Sequence, residues 1–139
     1  MIRKSKISDF EQLEPLFIET HKQTSFKNSP IDIPHMKRVF AVVTAMPNLF
    51  CEVVEHEGKV VGVLGGGVDK NAWGTIIAMD LFFISGKESH ALLRRFKQWA
   101  KDNNAWAVHI TSLVENDRYD SFLMKMGFKK AGQCFAMEI

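Results

Sequence analysis

AMDLFFISGKESHALLRRF, from Ala78 to Phe96, carries a hydrophobic strand almost directly into an amphipathic helix, with Ser85-Gly86-Lys87-Glu88 between them. A strand that ends at a helix N-terminus is a common phosphate-binding arrangement. The first backbone N–H groups of the helix lack partners and its dipole favours anions. The same four residues also have the Ser-x-x-Glu form of a capping box, in which side chains satisfy those donors locally.

On the N-terminal side of this stretch the pattern is a short strand at 2–5, then a helix from Ser8. A second Ser-x-x-Glu motif, Ser8 to Glu11, opens that helix, and Phe10, Leu13, Phe17 and His21 follow at helical spacing. Pro15 inside it predicts a kink. Asp32 to Thr44 reads as a second helix, with Pro34 in its first turn. Phe50 to Glu55 and Val60 to Val68 read as a hairpin about His56-Glu57-Gly58-Lys59, and Trp73 to Ile84 as a long strand. Gly65-Gly66-Gly67 suggests a bulge or a bare strand floor, since no helix follows it. Ser85 to Asn103 forms a helix, with Leu92, Leu93, Phe96, Trp99 and Ala100 inward and Arg94, Arg95, Lys97 and Lys101 on a solvated face. A fifth strand at 105–113, a helix at 116–126 stopped by Gly127, and a last strand at 133–138 complete the chain.

The composition narrows the class. A chain of 139 residues, 46% hydrophobic, fits one domain over residues 1–139 with a single core. The net charge of +2 and the lack of a basic block give no support to nucleic-acid binding. No apolar run is long enough to span a bilayer, and Ile2-Arg3-Lys4-Ser5-Lys6 does not read as a secretory signal, so a cytoplasmic location is expected. Cys51 and Cys134 sit in apolar strand patterns and read as two buried thiols. The histidines show no metal-ligand spacing, so no metal site is expected.

The order of elements, with several local signatures, resembles the GNAT superfamily of acyl-CoA-dependent N-acetyltransferases. Ile2-Arg3-Lys4 and Ser8-Asp9-Phe10 are similar to its opening strand and helix, and Glu55 to Gly62 to its central hairpin. Asp80-Leu81-Phe82-Phe83 resembles the end of its fourth strand, and Ala91-Leu92-Leu93 the helix after its cofactor loop. Asn116, Gly127 and Phe128 match the family pattern Asn-x-x-Ala-x-x-x-Tyr-x-x-x-Gly-Phe. The resemblance implies an α/β (α+β) fold: a mixed, mostly antiparallel sheet of six to seven strands flanked by about four helices. It also implies acetyl-CoA as co-substrate, held between two splayed strands. The main chain of Leu81, Phe82, Phe83 and Ile84 would lie along the pantetheine arm. Ser85, Gly86, Lys87 and Ser89 would meet the diphosphate, with Asn116 contributing from the last helix.

Three departures bear on function. The family's glycine-rich diphosphate loop is shortened, leaving only Gly86. The position where many relatives carry a strand carboxylate as base is Met79; Asp80 is adjacent, on the opposite face, and either replaces it or bonds local structure. The family Tyr that protonates the departing thiolate falls on Leu123. Tyr119, the only tyrosine of the chain, lies one turn earlier and is the candidate acid.

Two readings of different class follow. One is an N-acetyltransferase passing an acetyl group to a primary amine, small molecule or protein, with Asp80 and Tyr119 as catalytic groups and a homodimer open to it. The other is a GNAT-like binding or virion-assembly protein without catalysis. Over residues 80–128 the short junction and Leu123 also resemble GNAT-like internal virion proteins of short-tailed bacteriophages.

Overall fold

A two-residue turn at Glu57-Gly58, both with positive φ (52° and 76°), joins the strands on which the rest of the molecule is built. The computed structural model describes residues 1–139. The hairpin comprises β2 (Phe50–His56) and β3 (Lys59–Lys70), and that pair of left-handed residues matches the natural twist of the strands they connect. With β1 (Ile2–Lys4), β4 (Ile76–Ile84) and β5 (Ala107–His109) they form one sheet in the order β1-β2-β3-β4-β5. All neighbours are antiparallel except β4 and β5, which are parallel and joined through α3 (Ser89–Asp102).

The sheet separates two apolar layers. On one face α1 (Phe10–His21) and α2 (Ile33–Ala45) bring Phe10, Leu13, Phe40 and Val43 against Val53, Val63 and Ile84. On the other, α3 and α4 (Asp117–Lys125) bring Leu92, Leu93, Phe96 and Leu123 against Phe50, Val54, Leu64 and Ala78. Alternation along β2 and β3 sends successive side chains into opposite layers, as strand geometry requires.

The expected mixed, mostly antiparallel sheet with four helices is present, but with five strands and not six or seven. Residues 133–138 form no strand, and the fifth strand keeps only three residues of the expected span. Strand propensity at 133–138 has no ladder partner here, and propensity without a neighbouring strand does not make a strand. Cys134 is accordingly exposed, while Cys51 is buried as expected. Pro15 is accommodated inside α1, which continues to His21 as one helix. The first helix is entered through a 3₁₀ turn at Ile7–Asp9, and the local closure is made by Asp9, not Ser8: its carboxylate accepts from the Lys6 N–H at 2.7 Å. Arg95 is likewise more than a solvated cation. Its guanidinium forks onto the nearly buried Glu52 of β2, Nη2 to Oε1 at 2.7 Å.

A part-buried ion pair, with the carboxylate on its buried side, anchors β1 to the entry of α1. Arg3 donates from Nη1 and Nη2 to both oxygens of Asp9 at 2.9 Å, and from Nε to Glu55 at 2.6 Å. Burial alone would raise the Asp9 carboxyl. The Arg3 guanidinium and the Lys6 N–H outweigh it and hold the group below the usual aspartate value. A depressed carboxyl stabilises the fold above its unfolded pKa, and that contribution fades as pH falls through the folded value. Arg3→Met, which strands a buried carboxylate, is expected to cost about 3 kcal/mol at neutral pH. The deficit should shrink in acid, where Asp9 can protonate; urea unfolding at the two pH values measures both.

Candidate active site

The site begins where the ladder between β4 and β5 stops. Ile77, Ala78 and Met79 pair with Ala107, Val108 and His109, and no pair follows. Asp80 occupies the place of the next rung: its Oδ1 accepts from the Thr111 N–H at 2.9 Å. Past that point the chain after β5 turns to the loop behind α1. Leu113 accepts from the Ser25 N–H at 3.0 Å, the Glu115 N–H donates to Gln23 at 2.9 Å, and Thr24 bridges Val114. Leu81 to Ile84 therefore keep β3 on one side and have no strand on the other.

A bulge re-aims the same segment. Gly65 pairs with Phe82 and Gly66 with Asp80, leaving Leu81 as the extra residue, more than half exposed. The bulge reverses the alternation, so that Ala78 and Phe83 share the α3/α4 layer while Phe82 and Ile84 join the α1/α2 layer. Glycine is required opposite it. A Cβ on Gly65 would lie 2.3 Å from the Phe82 ring, and one on Gly66 would lie 2.6 Å from the Met79 carbonyl oxygen and 2.7 Å from Phe96. The glycine run is thus a bulge seat, and no bare floor remains at those two positions.

Two cavities of about 410 Å³ each meet at this gap, sharing Thr20, Phe83, Ile84, Val114 and Tyr119. The first reaches the opening of α3 and is rimmed by Ser85, Gly86, Ser89, Asn116 and Arg118. The second lies toward α1 and its loop, between Phe17, Phe26, Leu81 and Phe82, with Asp80 and Thr111 also in its wall. Every candidate residue read from the sequence lines one cavity or the other except Lys87, whose ammonium lies 3.1 Å from His56 Nε2. Arg118, Thr20 and Phe26 were not legible as site residues. Arg118 sits in an ordinary charged helix start, and the other two arrive through a long-range contact that no local pattern encodes.

The start of α3 differs from the expected capping box. The helix begins at Ser89, and Glu88 before it is left-handed (φ 58°) with no side-chain cap. Ser89 Oγ accepts from the Gly86 N–H at 2.6 Å and donates to the Gly86 carbonyl at 2.9 Å. The amides of Lys87, Glu88 and His90 donate to no protein acceptor. Asn116 caps α4, its Oδ1 accepting from the Arg118 N–H at 2.9 Å.

Tyr119 stands against Phe83, ring centroids 6.1 Å apart, at the junction of the two cavities. Leu123, at the position of the family tyrosine, is buried in the α3/α4 layer instead. Burial first, then the Asp80 and Asp120 carboxylates, push the Tyr119 phenol well above its ordinary value, so it keeps its proton throughout the physiological range. Asp80 is raised as well, mainly by burial, with the Thr111 N–H opposing. A carboxyl whose folded pKa is raised gives up stability as pH climbs through that value. Asp80→Asn retains an oxygen for Thr111 and sheds the charge. It is expected to melt higher than the wild type at neutral pH, with the gain vanishing in acid; a lower melting temperature at neutral pH would contradict this.

No protein-family model matches the sequence, and no curated protein matches it. Solved structures do. A mutant protein from Bacillus halodurans aligns with a TM-score of 0.83 at 13% identity, over 100% of this chain and 99% of that one. Glucosamine-6-phosphate N-acetyltransferase from Arabidopsis thaliana aligns with a TM-score of 0.70 at 17% identity, over 99% and 97%. An aminoglycoside acetyltransferase from an uncultured soil metagenomic sample aligns with a TM-score of 0.70 at 16% identity, over 100% and 95%. At such identities the likeness shows architecture alone, and with the parted strands and the bulge that architecture is the GNAT fold.

Proposed function

We propose that this chain is an N-acetyltransferase that passes an acetyl group from acetyl-CoA to a primary amine by direct attack. One observation carries the reading: the β4–β5 ladder ends after Met79, so that Leu81 to Ile84, held by β3 on one side, have no strand on the other, beside a cleft open to both cavities. The acetyltransferase neighbours agree with it.

Acetyl-CoA would supply an activated thioester carbonyl and a thiolate leaving group. The chain would hold its slender arm through the main chain of Leu81, Phe82, Phe83 and Ile84. Its phosphates would meet the free amides of Lys87, Glu88 and His90, with Arg118 supplying positive charge at the rim of that cavity. Amides near the bulge are the donors available to a developing oxyanion. Tyr119 holds a proton where both cavities meet, which suits a hydrogen-bond donor to a departing sulfur and not a base. Asp80 is the carboxylate in the wall of the second cavity, and it would take the amine's proton directly or through water.

The reading without catalysis has one observation in its favour. The Gly86 amide and the Ser89 hydroxyl satisfy each other, and Lys87 is turned to His56, so the phosphate cradle is smaller than the fold can offer. Isothermal titration with acetyl-CoA separates the two. Micromolar binding that weakens in Arg118→Glu supports the enzyme, and no heat at millimolar ligand overturns it. Where binding is found, mass spectrometry of amine panels reads transfer.

A further inference from the structure

The two cavities that meet at Tyr119 differ in charge. Glu19 and Arg118 stand in the wall of the first, beside the opening of α3. The wall of the second holds no lysine or arginine, and Asp80 is its one carboxylate. Two of its other polar side chains are already engaged. His21 Nε2 lies 3.3 Å from the Ser29 hydroxyl, and the Thr24 hydroxyl donates to the His21 carbonyl at 2.8 Å. Asp80 is half-buried and pairs with no cation of the chain; burial and Thr111 are what act on it.

The same wall leaves apolar side chains uncovered. Leu81 is 57% exposed, Phe26 54% and Leu113 37%. Phe26 is not on a loose loop. The Ser25 N–H donates to the Leu113 carbonyl at 3.0 Å, Thr24 bridges Val114, and Lys27 pairs with Glu115 at 3.3 Å. The loop that carries Phe26 is thus fastened to the segment that carries Leu113. Apolar surface of this kind, set in a concavity, is stabilised when an apolar body covers it.

We propose that the second cavity takes a small primary amine with a single ammonium group on an aromatic or branched apolar body. The ammonium meets the Asp80 carboxylate, and the body covers Phe26, Leu81 and Leu113. This names the acceptor class of the transfer proposed above and rests on that reading. A polyammonium compound would set its further charges against phenylalanine and leucine, with no second carboxylate to receive them. An amine that also bears a phosphate or carboxylate would find no lysine or arginine and would face Asp80. The volume of about 410 Å³ lies near the lower end of pockets that hold small molecules. A lysine side chain would bring polar peptide to an apolar mouth, which makes it the competing acceptor to be tested.

Isothermal titration of 2-phenylethylamine into the full chain, with and without coenzyme A, reads the site directly. It is expected to bind about ten-fold or more tighter than spermidine, phosphoethanolamine or Nα-acetyl-lysine amide. Asp80→Asn, expected above to melt no lower than the wild type, should weaken the arylamine about ten-fold and leave 2-phenylethanol nearly unaffected. Phe26→Ala, at a half-exposed position, should weaken it about five-fold with an unchanged melting temperature. Tighter binding of any of the three other amines overturns the acceptor class, as does an arylamine indifferent to Asp80→Asn. Titration with acetyl-CoA is the separate arm. Acetyl-CoA bound without arylamine overturns this inference alone. Arylamine bound through Asp80, with no heat from acetyl-CoA, overturns the transferase reading and leaves a site for apolar amines.

Discussion

Gly66→Ala is expected to destabilise the protein by about 3 kcal/mol, at the upper end of the range for overpacking a core. The added methyl would meet the Met79 carbonyl oxygen at 2.6 Å and the fully buried Phe96 ring at 2.7 Å. Neither neighbour can yield easily. The carbonyl belongs to the strand backbone beside the bulge, and Phe96 is packed against Phe50 and Trp99. Gly67→Ala is the control: its methyl would meet only the end of the Leu49 side chain at 2.9 Å, so less than about 1 kcal/mol is expected. Urea unfolding of the two variants gives the comparison. Equal losses would mean that the strand simply disfavours alanine and that the bulge seat has no special demand. If β4 instead shifts to relieve the clash, Leu81 loses its place as the extra residue, and any binding of acetyl-CoA should weaken along with stability.

Tyr119→Phe is expected to lower kcat about 10²-fold, the lower part of the range for removing a proton donor. It should leave acetyl-CoA affinity and melting temperature nearly unchanged, because the ring still packs on Phe83. Leu123→Tyr, which would place a phenol where the family carries one, is not expected to rescue it. Leu123 is buried among the α3/α4 apolar residues, and a hydroxyl there faces side chains and not the cleft. Single-turnover kinetics with the variant isolates the chemical step. An unchanged rate would remove Tyr119 from the chemistry and leave it as a wall of the cleft.

The fold was legible where short-range chemistry decides conformation. Glu57-Gly58 makes the hairpin, since the left-handed pair it needs is close in sequence and cheap at glycine. Asp32 and Pro34 open α2, with the aspartate accepting from the His35 N–H. Asn116 was legible as the start of α4 for the same reason. Expectation and structure part where several partners compete for one group, or where a segment takes none. Ser85 to Glu88 has the letters of a capping box, but Ser89 competes for Gly86, and the helix starts later. The segment 133–138 has the letters of a strand and joins no ladder.

Composition and spacing by themselves determined that a hydrophobic strand is followed by an amphipathic helix, that a hairpin centres on Gly58, and which side of the helices faces the core. These follow from backbone preferences and burial periodicity, which act over a few residues. Only the tertiary structure decided that Asp80 takes the rung after Met79 and that the chain beyond β5 leaves to join the loop behind α1. It also decided that a bulge at Leu81 reverses the faces of the last third of β4. Each of these depends on backbone groups that lie far apart in the sequence finding one another, and residue order alone does not state which of several available partners a free N–H will take.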